Sequence, residues 1–200
     1  MASVVVDPKK IAAFKTSSAF ERWLATHHDK ERELYLRLYK KDSGVRSVSY
    51  REALDVALCW GWIDGLKKSY DAESFLQRFS PRKTKSVWSQ INREHVARLI
   101  AAGRMTPHGL SHVESAKADG RWEAAYAGAR SMTVPDDLRA AIEQNPRAHA
   151  FFAKLDKTNR YALAFRLGNL KTEAARAKKI VSFVAMLARG ETLHPVKSAK

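Results

Sequence analysis

The sequence contains, at residues 62–79, the stretch Trp62-Ile63-Asp64-Gly65-Leu66-Lys67-Lys68-Ser69-Tyr70-Asp71-Ala72-Glu73-Ser74-Phe75-Leu76-Gln77-Arg78-Phe79. Its two ends, 62–68 and 73–79, have the composition of β-strands, and the polar segment 69–72 between them predicts a hairpin turn. A further strand is predicted at 34–39, where leucines at every second position alternate with other side chains. Because an antiparallel sheet of about three strands leaves a face to be covered, we expect an α+β fold with helices packed on that face.

Helix signals occur on both sides of these strands. Ser18 and Ser49 are each followed three residues later by glutamate, the capping-box pattern that marks a helix start. After residue 81 the pattern is helical throughout. Ser86 is expected to cap a helix that runs to about residue 102, and a second helix is expected from 107 to 119. Four more helices are predicted at 135–144, 146–155, 159–167 and 173–189.

These signals divide the chain into two regions. Residues 10–130 form an α+β region with a helical extension, and residues 131–195 form a helical region. A chain of 200 residues amounts to one domain or two small ones, so we expect the two regions to form one compact unit.

The composition is that of a soluble globular protein, with 45% hydrophobic and 28% charged residues. This excludes collagen-like and wholly disordered classes. The single cysteine, Cys59, excludes an intramolecular disulfide and any multi-cysteine metal site. No apolar run is long enough to cross a membrane. The short run Val4–Val6 precedes lysines rather than following them, unlike a secretory signal, and we therefore expect a cytoplasmic protein.

The net charge of +15 is the most unusual property of the sequence. The excess grows along the chain, from +3 over residues 1–80 to +5 over 81–130 and +7 over 131–200. Such a surface attracts anions, so the expected partner is a porin or another acidic protein, nucleic acid, or an acidic lipid surface. It disfavours capture of cationic peptides, because like charges repel across an interface.

The sequence lacks the short motifs of common enzyme classes. The phosphate-binding glycine loops, the zinc-protease motif and the nucleophile-elbow motif are all missing. We therefore expect no cofactor, no metal and no catalytic residue. His108 and His112 are four residues apart on a predicted helix, but two ligands do not complete a zinc site, and we expect two surface histidines.

The segment from Arg78 to Arg104 is the best candidate for an anion site. Its seven basic residues and one acidic residue give a net charge of +6 over 27 residues. A helix start near Ser86 would add free amide hydrogens and the positive end of a helix dipole. A tryptophan in the same segment could stack on a base or a sugar. The residues assigned to this site are Arg78, Arg82, Ser86, Trp88, Asn92 and Arg104.

A second candidate site combines Trp62 and Asp64, which share one face of the predicted strand. An aromatic wall with one carboxylate suits a cationic or hydroxylated ligand. Asp64 could instead hydrogen-bond the turn backbone or pair with Arg78 on the neighbouring strand. The enzyme alternative makes Asp64 a general base, with Arg78 and Arg82 clamping a small anionic substrate.

Several motifs together resemble the YdeI/OmpD-associated family, also described as OmdA or bacteriocin-protection proteins. They span about residues 16–195 and are Leu58-Cys59-Trp60-Gly61-Trp62-Ile63-Asp64-Gly65, Gln77-Arg78-Phe79-Ser80-Pro81-Arg82, Ser86-x-Trp88-Ser89-x-x-Asn92, Gly103-Arg104-Met105, Asp119-Gly120-Arg121-Trp122, Val134-Pro135-x-x-Leu138 and Phe183-Val184-x-Met186-Leu187.

The resemblance implies a role in tolerance of bacteriocins or antimicrobial peptides, or in the envelope stress response, and it implies no reaction. With the charge pattern, it leads us to expect a non-enzymatic protein that binds an anionic partner. A nucleic-acid-associated protein and an enzyme acting on a small anion remain the alternatives.

Overall fold

A computed structural model describes residues 5–128, 132–170 and 172–195. It divides into two compact units, residues 1–125 (unit 1) and 126–200 (unit 2). The boundary predicted between residues 130 and 131 lies outside the described residues. Within the described ranges, no helix is both long and apolar enough to cross a membrane.

Unit 1 is built on a mixed sheet, which confirms the predicted α+β class. Its strands are β1 (Ile11–Ala12), β2 (Leu34–Tyr39), β3 (Trp62–Ser69) and β4 (Ser74–Pro81), in the order β1-β2-β4-β3. The β3–β4 hairpin and the strand at 34–39 confirm the prediction, and both pairings of β4 are antiparallel. The described sheet has four strands rather than about three. The additional strand, β1, has two residues, too few for an alternating pattern, and pairs in parallel with β2.

The described part of unit 1 also contains four α-helices: α1 (Ser17–His27), α2 (Tyr50–Cys59), α3 (Gln90–Ala101) and α4 (Pro107–Ala118). The capping box that starts α2 at Ser49 is confirmed. The helix start predicted at Ser18 was wrong by two residues, because Thr16 caps α1 by accepting the backbone N–H of Ala19.

The core of unit 1 lies between the sheet and these helices. The leucines of β2 and Phe79 of β4 pack against Phe20 and Leu24 of α1 and against the apolar face of α2. Helices α3 and α4 pack in turn against α2 and add Val96 and Val113 to the same core. The sheet and α2 thus hold the segments that carry the sequence-predicted site residues.

Unit 2 is helical over its described residues, with α5 (Asp136–Glu143), α6 (Pro146–Ala153), α7 (Lys157–Gly168) and α8 (Glu173–Ala188). The apolar stripe predicted for the last helix is confirmed, because Phe183 and Leu187 are buried while Ile180 and Val184 pack beside them. Helix α8 packs on α5, α6 and α7, which closes the core around Leu138 and the other buried residues of these helices.

Candidate functional site

Arg78, the first residue of the basic segment 78–104, is bound to a carboxylate. Its Nε donates to Glu33 Oε2 at 2.7 Å, and the other oxygen of Glu33 accepts from Lys10 Nζ at 2.6 Å. These hydrogen bonds from Lys10 and Arg78 hold the pKa of Glu33 below its ordinary value. The suggested pairing of Arg78 with Asp64 was wrong: the register places Asp64 opposite Phe79, so the Asp64 and Arg78 side chains lie on opposite faces of the sheet.

Arg82 and Trp88 are buried against each other. The guanidinium carbon of Arg82 lies 3.7 Å from the centre of the Trp88 ring, and Arg82 Nη2 donates to the carbonyl of Val87 at 2.8 Å. Only 6% of Arg82 and 2% of Trp88 is exposed. Trp88 also packs edge-on against Trp122, with ring centres 4.9 Å apart. The ring expected to stack on a ligand therefore stacks on a guanidinium of the protein itself.

Ser86 does not cap α3, which corrects the sequence-based prediction. The N-cap is Ser89, whose Oγ accepts the backbone N–H of Asn92 at 3.1 Å. Ser86 lies in the preceding loop, where its carbonyl accepts from Arg121 Nη1 at 3.0 Å. Arg104 is exposed beyond the far end of α3, where its backbone N–H donates to the carbonyl of Leu99, whereas Asn92 lies in the first turn of that helix. The six predicted residues do not form one site, and anion binding by the exposed cations of the segment stays a prediction.

Trp62 and Asp64 are held by different partners. Trp62 is buried, and its Nε1 donates to the carbonyl of His28 at 3.1 Å. Asp64 is half-buried and accepts a hydrogen bond from the Tyr50 hydroxyl at 2.8 Å. Burial, together with the Asp64 carboxylate, raises the pKa of Tyr50. The enzyme alternative uses Arg78 and Arg82 to clamp the substrate beside Asp64, whereas Arg78 is bound to the Glu33 carboxylate and Arg82 is buried against Trp88.

One of the two histidines of α4, His108, belongs to an aromatic cluster that sequence reasoning missed. The ring centre of His28 lies 4.0 Å from that of His108 and 4.9 Å from that of Trp60. His28 Nε2 and Trp60 Nε1 are buried and have no hydrogen-bond partner in the structure. Burial lowers the pKa of His112, which is half-buried rather than on the surface. Within the described ranges, no three histidine, cysteine, aspartate or glutamate side chains are placed to hold a metal ion.

Cys59 is fully buried, and this burial raises the pKa of its thiol to about 11. We expect native protein at pH 8 to react with iodoacetamide about a hundredfold more slowly than an exposed thiol, because so little thiolate is present. Labelling in urea should restore the ordinary rate. Native labelling at the rate of a free thiol, followed by mass spectrometry, would show that Cys59 is accessible.

Unit 2 contains a cleft of about 540 Å³, which we name the basic cleft. Its wall combines cationic side chains with apolar and aromatic ones. The residues that line it are Met132, Thr133, Val134, Arg139, Phe152, Lys157, Arg160 and Tyr161. Three of these eight are cations and none is acidic, so the cleft presents a concentrated positive field to a bound molecule.

Backbone carbonyls fix the position of Arg160 in the basic cleft. Its Nη2 donates to the carbonyl of Ala153 at 2.9 Å and, more weakly, to that of Phe152 at 3.4 Å, at the end of α6. Its guanidinium carbon lies 5.2 Å from the centre of the Phe152 ring. Its Nε is buried without a hydrogen-bond partner in the structure. The guanidinium is therefore a preorganised charge rather than a mobile one.

The other two cations are more exposed. Arg139 lies on α5, where Nη2 donates to the carbonyl of Val134 at 3.3 Å and lies 3.7 Å from Asp136, a residue almost fully open to solvent. Lys157 is the first residue of α7, so its ammonium group stands beside the positive end of that helix. Both can therefore turn toward an anion at little cost.

Sequence reasoning missed the basic cleft because its cations are far apart in the chain. Arg139 and Arg160 belong to different helices, and no short window of sequence contains both. The one available signal was the net charge of +7 over residues 131–200, the largest excess of the three regions. The prediction instead favoured the segment 78–104, because its basic residues are close together in the sequence. In the structure, the side chains of that segment point to different partners.

Two family models match the chain. Residues 12–112, half of the chain, match a family described as a domain of unknown function, DUF8412. Residues 131–190 match the family described as bacteriocin-protection, YdeI or OmpD-associated. The chain belongs to the DUF8412 family and carries a YdeI/OmpD-associated domain. No curated protein and no solved structure gives a significant match.

The YdeI/OmpD-associated domain contains all eight residues that line the basic cleft. The resemblance inferred from sequence is confirmed for this region. It was expected to extend from about residue 16, but the motifs between residues 58 and 105 fall in the separate DUF8412 match. The basic cleft is therefore a feature of the part of the chain whose family description refers to bacteriocin protection.

Proposed function

We propose that this protein contributes to bacteriocin protection as a non-enzymatic binding protein, and that it holds an anionic ligand in the basic cleft. The observation that carries the proposal is the convergence of Arg139, Lys157 and Arg160 on one cleft, with no acidic side chain among the described residues that line it. The family description of the YdeI/OmpD-associated domain supports the biological setting.

The electrostatics favour an anion over a neutral ligand. Two unit charges 4 Å apart attract by about 4 kcal/mol at the effective dielectric constant of 20 typical near a protein surface. Three cations around one anion multiply this attraction, and charge-assisted hydrogen bonds from arginine orient a phosphate or carboxylate group. Because Arg160 is already held by α6, binding an anion does not have to order that side chain.

The proposal predicts that the double variant Arg139→Gln/Lys157→Gln loses protection. A bacteriocin-sensitive bacterial strain would express the wild-type chain or a variant, and survival would be measured across bacteriocin concentrations. The matched control is Arg147→Gln/Lys178→Gln, which also removes one arginine and one lysine, from exposed helix positions of the same unit outside the cleft lining. The control should protect like the wild-type chain.

Equal survival with the wild-type chain and the cleft variant, at equal protein levels, would contradict the proposal. Loss of protection in both variants would contradict it as well, because net charge rather than the basic cleft would then be the active property.

A further inference from the structure

We infer that the basic cleft takes an aryl anion, a ligand in which an aromatic ring carries one phosphate or carboxylate group. This inference rests on the proposed function and specifies its ligand. The second half of the cleft lining is apolar, and a small inorganic anion would leave it without a contact.

The apolar half consists of Met132, Val134, Phe152 and Tyr161. Tyr161 is held by stacking on Phe165, with ring centres 5.8 Å apart and planes inclined by 25°. Because Tyr161 is braced in this way, it offers a fixed ring edge or face to a ligand ring.

The cationic half and the Tyr161 hydroxyl suit the anionic group of such a ligand. The Tyr161 hydroxyl can donate to an oxyanion, since a tyrosine is protonated at neutral pH and burial, with a smaller contribution from Tyr126, raises the pKa of Tyr161 further. A planar guanidinium such as that of Arg160 can donate to a carboxylate or phosphate.

The size of the basic cleft agrees with this ligand class. Its volume of about 540 Å³ lies within the range of clefts that bind small organic molecules and exceeds what inorganic phosphate needs. Phosphate alone would leave the apolar wall in water, whereas an aryl ring would cover it and release that water. The two ends of an aryl anion thus match the two halves of the lining.

The test is calorimetric titration of the full chain with phenyl phosphate, methyl phosphate and inorganic phosphate at one pH and ionic strength. We expect phenyl phosphate to bind about thirtyfold more tightly than methyl phosphate, the effect of burying one ring. Phenylacetate against acetate should show the same preference, which would place the selectivity in the ring rather than in the anionic group.

Two variants locate the preference. Phe152→Leu keeps an apolar wall but removes a ring, and should reduce the preference for phenyl over methyl phosphate. Tyr161→Phe keeps the ring and removes the hydroxyl, and should retain the preference while all anions bind more weakly. A circular dichroism spectrum like that of the wild-type chain shows that each variant is folded.

Equal affinity for the three phosphates would overturn the inference and leave the proposed function standing. Absence of binding by all of them, in the folded wild-type chain, would overturn both. A folded Phe152→Leu variant that prefers phenyl phosphate over methyl phosphate as strongly as the wild-type chain does would also overturn the inference.

Discussion

Replacing Gly109 with alanine should lower the free energy of unfolding of unit 1 by about 3 kcal/mol, because it overpacks a backbone contact. Gly109 is buried in the first turn of α4, and an added Cβ would overlap the carbonyl oxygen of Cys59 and lie 2.9 Å from that of Leu58. The obstacle is backbone, which cannot rotate away as a side chain could. Thr106 fixes it further, since its N–H and its hydroxyl both donate to the Cys59 carbonyl.

Urea unfolding followed by tryptophan fluorescence measures this effect, since all five tryptophans lie in unit 1. Gly65→Ala is the control. Gly65 lies in β3, and its added Cβ would come no closer than 3.6 Å to Arg78 Nη1, an ordinary contact. The control should change the free energy of unfolding by less than about 0.5 kcal/mol. A Gly109→Ala variant as stable as the control would show that α2 and α4 do not approach so closely.

Replacing Asp55 with asparagine should lower the free energy of unfolding of unit 1 by about 2 kcal/mol at pH 7, because it breaks a largely buried ion pair. Asp55 accepts from Arg98 Nη2 at 2.6 Å and contacts His95 Nδ1 at 2.7 Å. Arg98 keeps 46% of its side chain exposed and can turn to solvent, which limits the loss.

The same residue gives a pH dependence with a definite sign. Burial alone would raise the pKa of Asp55, but the hydrogen bonds from Arg98 and His95 outweigh it and hold that pKa below the ordinary value of 3.8. The contribution of Asp55 to stability is therefore present above pH 3.8 and is lost as the pH falls through the lower, folded-state pKa.

Urea unfolding of wild type and Asp55→Asn between pH 2 and 7 tests this dependence. The stability difference should be full at pH 7 and shrink below about pH 4. Asp42→Asn, at an exposed position, should follow the wild-type curve. A constant difference at all pH values would mean that the charge of Asp55 is not what stabilises unit 1.

Much of the fold was predictable because its signals are local. The strand at 34–39 and the hairpin at 62–81 follow from alternation and a polar turn, and the capping box at Ser49 starts α2 as expected. The helix starts at Ser18 and Ser86 were wrong because hydroxyl residues stand close together there, and Thr16 and Ser89 hold the better geometry. The two-residue strand β1 could not be predicted, because it is defined only by its pairing with β2, more than 20 residues further along the chain.

The candidate site was less predictable because charge density along a sequence is not charge density in space. The arginines of the segment 78–104 diverge: Arg78 turns to Glu33, Arg82 to Trp88 and Arg98 to Asp55. The acidic and aromatic partners that engage them are up to 45 residues away in sequence. Conversely, the cations of the basic cleft come together only through the packing of α5, α6 and α7.

Anion binding by the basic cleft can be mapped directly by NMR on the isotope-labelled full chain. Phenyl phosphate would be titrated at physiological salt, and the chemical shifts of the backbone amides would be followed residue by residue. We expect saturable shifts concentrated at residues 132–161, lost in Arg139→Gln/Lys157→Gln and kept in Lys83→Gln/Lys85→Gln. Shifts concentrated at residues 78–104, or unchanged by the cleft substitutions, would contradict this expectation.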